Sequence, residues 1–137
     1  MCNERETFLY LIRFCCCDFR GACPFLGPIY EEDLGNGYIV CALDVMQDVH
    51  IIIKNKRGSG GFQVVPPTVF AYGWDDDFIL AKRHPEKKDR KVDTSVTYWY
   101  IIEVASGDVH GPLNGGEFRK LRTKLKVPEE ISFKTIQ

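Results

Sequence analysis

The stretch that decides the fold is VTYWYIIEV, residues 96–104. Its aromatic and β-branched residues favour a β-strand. Because side chains alternate along a strand, Tyr100 and Ile102 share one face, and Trp99 and Ile101 share the other. Both faces are apolar, so we expect this strand to lie inside a sheet and to be covered on both sides over much of its length.

Further strands are predicted on either side of this one. Runs rich in β-branched and aromatic residues recur at residues 37–43, 49–54, 62–65, 69–72, 78–82 and 131–133. Pro66 and Pro67 lack backbone N–H groups, so they mark a strand edge or a corner. The pattern predicts a mostly antiparallel β-sheet, a meander of about six to eight strands.

One amphipathic helix is predicted near the C-terminus. Asn114 can cap its first turn, and Glu117, three residues later, can reach back to the cap backbone. Phe118, Leu121 and Leu125 recur at helical spacing on one face. We expect this face to pack on the sheet and the helix to extend to residue 126. The predicted fold class is therefore α+β, with one C-terminal helix covering an antiparallel sheet.

The length and composition predict one soluble domain after a leader. The chain has 137 residues, of which 45% are hydrophobic and 27% charged, as in ordinary globular domains. Residues 1–34 are interpreted as a signal-like or poorly ordered leader and linker, and residues 35–137 as a single α+β domain. The formal net charge of −1 gives no overall attraction to nucleic acid, so no nucleic-acid partner is predicted.

The leader contains FLYLIRFCCCDFRGAC, residues 8–23. Its short apolar core, followed by a small-residue site that ends at Cys23, is typical of an export signal. An acidic start, together with Arg13, Asp18 and Arg20, departs from that pattern, so the leader is interpreted as degenerate and is expected to export poorly. A zinc site would need a second ligand pair at short spacing, which this stretch lacks, so we predict no metal site. Cys23 is the candidate lipidation residue.

Trp74, Asp75 and Asp76 form the candidate surface or turn motif in the body of the chain. The acidic run WDDD could bind a hard cation or supply paired carboxylates. We favour a hairpin turn held by Asx hydrogen bonds, because Asp side chains readily bond to the backbone two residues on.

No catalytic or cofactor-binding residues are predicted, and no cofactor. Ser59, His50 and His110 show no spacing that supports a nucleophilic triad. The polar segment at residues 84–94 predicts a mobile loop tip, and its basic residues, like those of the helix, are interpreted as a solvated surface. The aromatic residues of the sheet and helix are interpreted as core rather than as a ligand pocket.

The order of several short motifs resembles a known family. GNGY at residues 35–38, the Trp74-Asp75-Asp76 turn, the strand at residues 98–104, and GPL before Glu117-Phe118 occur in the order found in a family of small bacterial proteins catalogued only as a domain of unknown function. The resemblance covers residues 35–133. Many members look like lipoproteins, so it implies lipidation at Cys23, membrane attachment through that lipid and a cell-envelope location. It implies no activity.

Two classes of function follow from these observations. The first is a non-catalytic binding or scaffold domain of a lipoprotein-like protein of the cell envelope, with a protein or small-ligand partner. The alternative is a cytoplasmic protein-interaction module, for example an inhibitor or an immunity-type protein, if the leader does not act in export. An enzyme is a distant third. The sequence does not predict an oligomeric state.

Overall fold

A computed structural model describes residues 28–55 and 60–136. The chain divides between Val64 and Val65 into two compact units. The first unit holds four strands, of which the last extends one residue past the division: β1 Tyr30–Gly35, β2 Tyr38–Ala42, β3 His50–Lys54 and β4 Gly61–Val65. The second unit holds the remaining elements: β5 Val69–Trp74, β6 Phe78–Arg83, β7 Tyr98–Glu103, β8 Asp108–Leu113, α1 Gly115–Lys124 and β9 Lys134–Thr135.

The first sheet has the order β1-β2-β3-β4, and β2 pairs antiparallel with both neighbours. All five residues of β2 are buried. The β1–β2 turn carries Gly35, Asn36 and Gly37 at φ values of 85°, 55° and 88°. Glycine adopts such left-handed conformations without steric cost and asparagine tolerates them, so this Asn-Gly sequence suits a tight hairpin turn.

Strand β1 differs from the sequence prediction, which assigned residues 30–34 to the leader. Leu34 is buried, whereas Glu31 and Asp33 are exposed on this edge strand. Charged side chains are common on edge strands, where they discourage pairing with other chains, and they also weaken the sequence signal for a strand. The remaining leader residues up to residue 27, including Cys23, lie outside the described residues.

The second sheet has the order β8-β7-β6-β5-β9, and every neighbouring pair is antiparallel. Strand β7 lies between β6 and β8, so its predicted internal position is confirmed. Pro66 and Pro67 fall between the end of β4 and the start of β5, where both ladders are interrupted, as predicted.

Helix α1 packs on one face of the second sheet. A buried cluster joins both elements and the chain after the helix: Leu80, Ile101, Phe118, Val127 and Ile131. Leu121 and Leu125 pack against it and are partly buried. On the opposite face of the sheet, Tyr100 and Ile102 are also buried. The predicted α+β class and the packing face of the helix are therefore confirmed.

The C-terminal strand differs in position from its prediction at residues 131–133. β9 instead comprises Lys134 and Thr135 and pairs with β5. The segment before it crosses the sheet at Gly73, where an added Cβ would overlap the carbonyl oxygen of Ser132. Ile131 is thereby buried in the core rather than paired in a ladder. The described residues form nine strands in two sheets rather than one meander of six to eight.

The N-terminal end of α1 follows the sequence prediction. The Asn114 side chain accepts a hydrogen bond from the Glu117 backbone N–H at 2.8 Å, and the Asn114 N–H donates to Glu117 Oε1 at 2.9 Å. These two bonds form a capping box, which satisfies backbone donors that have no partner within the helix.

The C-terminal end of α1 comes earlier than predicted. The last helical residue is Lys124, and Lys126 has left-handed backbone angles, with φ of 59°. Its N–H donates to the Thr123 carbonyl at 3.2 Å, and the Val127 N–H donates to the Arg122 carbonyl at 3.0 Å. This pair of bonds is a Schellman motif, which ends the helix and reverses the chain. No helix in the described part of the chain is both long and apolar enough to cross a membrane.

Candidate functional site

The Trp74-Asp75-Asp76 motif forms the turn between β5 and β6. Asp75 Oδ1 accepts hydrogen bonds from the N–H groups of Asp77 and Phe78, each at 2.8 Å, and the Asp75 N–H donates to the Phe78 carbonyl at 2.9 Å. These Asx-type bonds agree with the turn interpretation. Cation binding by this acidic run was the less favoured alternative to a turn, and it stays untested. Among residues 28–55 and 60–136, no three His, Cys, Asp or Glu side chains are grouped so that they could hold a metal ion.

Cys41 and His50 lie opposite each other in the β2–β3 pairing. His50 Nδ1 lies 2.6 Å from the Asp48 carbonyl oxygen, which can only accept, so Nδ1 donates this hydrogen bond. The other ring nitrogen, Nε2, lies 3.7 Å from Cys41 Sγ. Burial, with a smaller contribution from Glu31, raises the pKa of the Cys41 thiol to about 12. This cysteine therefore stays protonated at neutral pH, unlike a nucleophilic cysteine, whose pKa is lowered.

The aromatic side chains near α1 pack against one another. The Trp99 ring centroid lies 4.5 Å from that of Phe118 and 5.7 Å from that of Phe133. Lys82 Nζ lies over two of these rings, 4.6 Å from the Trp99 centroid and 4.3 Å from the Phe133 centroid. Phe118 is buried in the core of the second unit, whereas Trp99 and Phe133 are partly buried and pack against that core.

A groove of about 660 Å³ lies on the surface of the second unit, between the C-terminal half of α1 and the segment that follows the Schellman motif. Arg119, Thr123 and Lys126 line its helical side, and Glu129 and Glu130 belong to the returning segment. The groove was not predicted from the sequence, because all of the helix's basic residues were interpreted as a solvated surface.

Arg122 fixes the returning segment of the groove. Its Nη2 group donates hydrogen bonds to the carbonyls of Pro128, at 2.9 Å, and Ile131, at 3.1 Å. A guanidinium has several donors in a rigid planar arrangement, so one side chain can donate hydrogen bonds to two backbone carbonyls at once. Arg122 therefore has a structural role in the wall of the groove.

The remaining charges of the groove are not paired with one another. Arg119 and Lys126 are exposed on the helical side, and Glu129 and Glu130 are exposed on the other. None of these four side chains forms an ion pair with another described residue. The open groove thus presents two cations and two carboxylates whose charges are available to a ligand.

Lys126 occupies an unusual backbone position for its residue type. Left-handed angles at the residue that follows a helix are usually adopted by glycine, because a Cβ there is crowded by the backbone. Lysine at this position is less favourable than glycine would be, and Lys126 is one of the residues that line the groove. Sequence patterns could not locate the turn, since the usual glycine signal is absent.

Comparison with known proteins finds one family. No curated protein and no solved structure matches the chain. A family described as "Protein of unknown function (DUF3997)" matches residues 35–137, which is three-quarters of the chain and includes the groove, the capping box and most of both sheets. The chain therefore belongs to the DUF3997 family of proteins of unknown function.

Proposed function

We propose that this protein is a non-catalytic binding domain that takes a polar segment of a partner protein into the groove beside α1. The observation that carries the proposal is the set of four exposed, unpaired charges around the groove. Opposite charges on its two sides favour a segment with the complementary arrangement, because complementary potentials set the orientation of an encounter and discourage wrong partners.

The bound segment would place an acidic residue near Arg119 and Lys126, and a basic residue near Glu129 and Glu130. Exposed ion pairs contribute only about 0.2–1 kcal/mol each. We therefore expect the charges to determine which partner binds, and the total affinity to be modest and to fall with added salt.

Site-specific photocrosslinking in cells would test the groove. A photoreactive residue in place of Thr123 should form a covalent adduct with the partner, and the same residue at exposed Ser106, in the β7–β8 turn, should not. Charge reversal at the groove, R119E with K126E, should abolish the adduct. Charge reversal on the outer side of the helix, K120E with K124E, should leave it intact. An adduct that survives the groove reversal, or forms equally from Ser106, would exclude this binding site.

We further propose that the domain belongs to a lipoprotein of a bacterial cell envelope, attached through a lipid on Cys23. The support is the export-like sequence that ends at Cys23 and the resemblance of the chain to lipoprotein-like proteins. Membrane fractionation of the wild type and of Cys23→Ser tests this attachment. After a high-salt wash, which releases proteins held by charge alone, the wild type is expected in the membrane fraction and the variant in the soluble fraction. A wild type found in the cytoplasm would favour the alternative, a cytoplasmic interaction module.

A further inference from the structure

The connection between β6 and β7 forms a structured basic tip, which we define as residues 87–91. An isolated antiparallel bridge joins Glu86 to Val92 just below the tip. Within the tip, the Lys87 N–H donates to the Lys91 carbonyl at 2.7 Å and the Arg90 N–H donates to the Lys87 carbonyl at 2.9 Å. These bonds form a turn at the basic tip. The mobility expected for this loop stays a prediction.

The base of this connection is held against the second unit. The His84 ring stacks on Phe70 at 4.1 Å between centroids, and His84 Nδ1 lies 2.9 Å from the Val96 carbonyl oxygen. The Asp93 N–H donates to the Pro85 carbonyl at 2.8 Å. The base of the connection is therefore packed on and hydrogen-bonded to other residues of the second unit.

The exposed charge of the basic tip is mostly positive. Its four cations are all exposed: Lys87, Lys88, Arg90 and Lys91. None of them forms an ion pair with another described residue. The one carboxylate of the tip, Asp89, accepts a hydrogen bond from the Lys91 N–H at 3.1 Å. The carboxylate of Asp93, below the tip, is likewise engaged by the backbone and hydroxyl of Ser95.

Arg90 has a φ of 67°, in the left-handed region that favours glycine. A side chain other than glycine, asparagine or aspartate is disfavoured there, because its Cβ is crowded by the backbone. Backbone outliers of this kind cluster at functional sites, so an outlier with an exposed side chain supports a hypothesis of function. Arg90, one of the four cations of the tip, therefore makes the turn less stable than glycine at the same position would.

We propose that the basic tip binds the anionic headgroups of a phospholipid membrane. All five of its residues are exposed, and none is apolar. A protruding tip of this kind recognises charge rather than shape, whereas a peptide partner is normally held in a groove or along a sheet edge. A dense layer of anionic headgroups attracts each nearby Lys or Arg enough to raise membrane partitioning about fivefold. The proposal depends neither on the groove beside α1 nor on a lipid at Cys23.

Sedimentation of the purified, unlipidated full chain with vesicles would test the proposal. We expect binding to vesicles that contain phosphatidylglycerol and none to vesicles of pure phosphatidylcholine, with binding lost at high salt. Removal of two cations of the tip, K88Q with R90Q, should lower the partition coefficient roughly 25-fold. The matched control removes two exposed cations of α1, K120Q with K124Q, and should leave partitioning nearly unchanged.

A second variant separates charge from folding. Arg90→Gly removes one cation and relieves the left-handed strain, so partitioning should fall about fivefold while the thermal midpoint does not fall. The proposal would be overturned by equal binding to neutral vesicles, by equal effects of the tip and helix variants, or by no binding to phosphatidylglycerol at low salt. Tighter binding of the basic tip to polyglutamate than to these vesicles would indicate an acidic protein partner and would also overturn it.

Discussion

The two faces of α1 differ in how well the sequence predicts their surroundings. On the face toward the sheet, Phe118 is only 3% exposed and Leu121 and Leu125 are partly buried, as their helical spacing predicts. On the face that lines the groove, Arg119 and Lys126 looked like ordinary solvated residues. Hydrophobic periodicity indicates which side of a helix is packed. It does not indicate what the chain places beside the other side.

The largest expected effect is at the centre of the packed face. Phe118→Ala should lower the free energy of unfolding by about 3–5 kcal/mol, because it removes a buried ring that contacts Trp99 and leaves a cavity. Urea denaturation measures this change. Lys120→Ala, on the exposed side, is the control and should change stability by less than about 0.5 kcal/mol. Equal effects from the two variants would contradict the packing described for α1.

Leu121→Ala should have an intermediate effect. Leu121 packs against the cluster but keeps part of its surface exposed, so we expect a loss of about 2 kcal/mol, at the lower end of the range for buried leucines. The same urea titration compares it with Phe118→Ala. A loss as large as that of Phe118→Ala would show that the packed face is centred nearer the C-terminal half of the helix.

Asn114→Ala tests the end of the helix that the sequence predicted. Loss of the capping oxygen should cost about 1 kcal/mol of unfolding free energy. Asn114→Asp keeps an acceptor for the Glu117 N–H and should retain most of the wild-type stability. If alanine and aspartate behave alike in thermal denaturation, the capping box contributes little to the stability of the second unit.

Lys126→Gly separates stability from binding at the groove, because we expect it to raise the free energy of unfolding and to weaken binding. Glycine should stabilise the left-handed position, because the Cβ crowding that it removes costs about 1–2 kcal/mol and the backbone entropy that it loses costs about 0.5–1 kcal/mol. The same change should weaken the crosslink from Thr123, because it removes a cation of the groove. Lys124→Gly, at the last helical residue, is the matched control and should destabilise the helix by up to about 1 kcal/mol. A destabilising Lys126→Gly would contradict the Schellman motif.

Features fixed by local chemistry could be predicted from the sequence. Asn114 and Glu117 are three residues apart and form the expected capping box, and the two apolar faces of β7 place that strand inside its sheet. Strand β1 was missed because Glu32 stands between Tyr30 and Leu34, where an alternating strand would carry an apolar residue. The end of α1 was placed two residues too late because Lys126 stands where a glycine would have marked the stop.

The turn at Asp75 was predicted because its hydrogen bonds join residues that are close in sequence. The groove could not be predicted in the same way. Its shape depends on Arg122 reaching the carbonyls of Pro128 and Ile131, and neither the rotamer of that side chain nor the path of the segment is encoded in a local pattern. The charges of Glu129 and Glu130 were visible in the sequence, but their position beside Lys126 was not.

The buried thiol of Cys41 allows opening of the first sheet to be measured by chemical labelling. Thiolates react with alkylating reagents and thiols do not, so Cys41 in the closed β2–β3 pairing is protected both by burial and by its protonation. Modification at neutral pH would then require β2 to open, which returns the thiol to water. Peptide-resolved alkylation rates at Cys41 would thus report the opening free energy of that sheet. Since the α1 variants alter the second unit, any change they cause at Cys41 would measure how cooperatively the two units unfold.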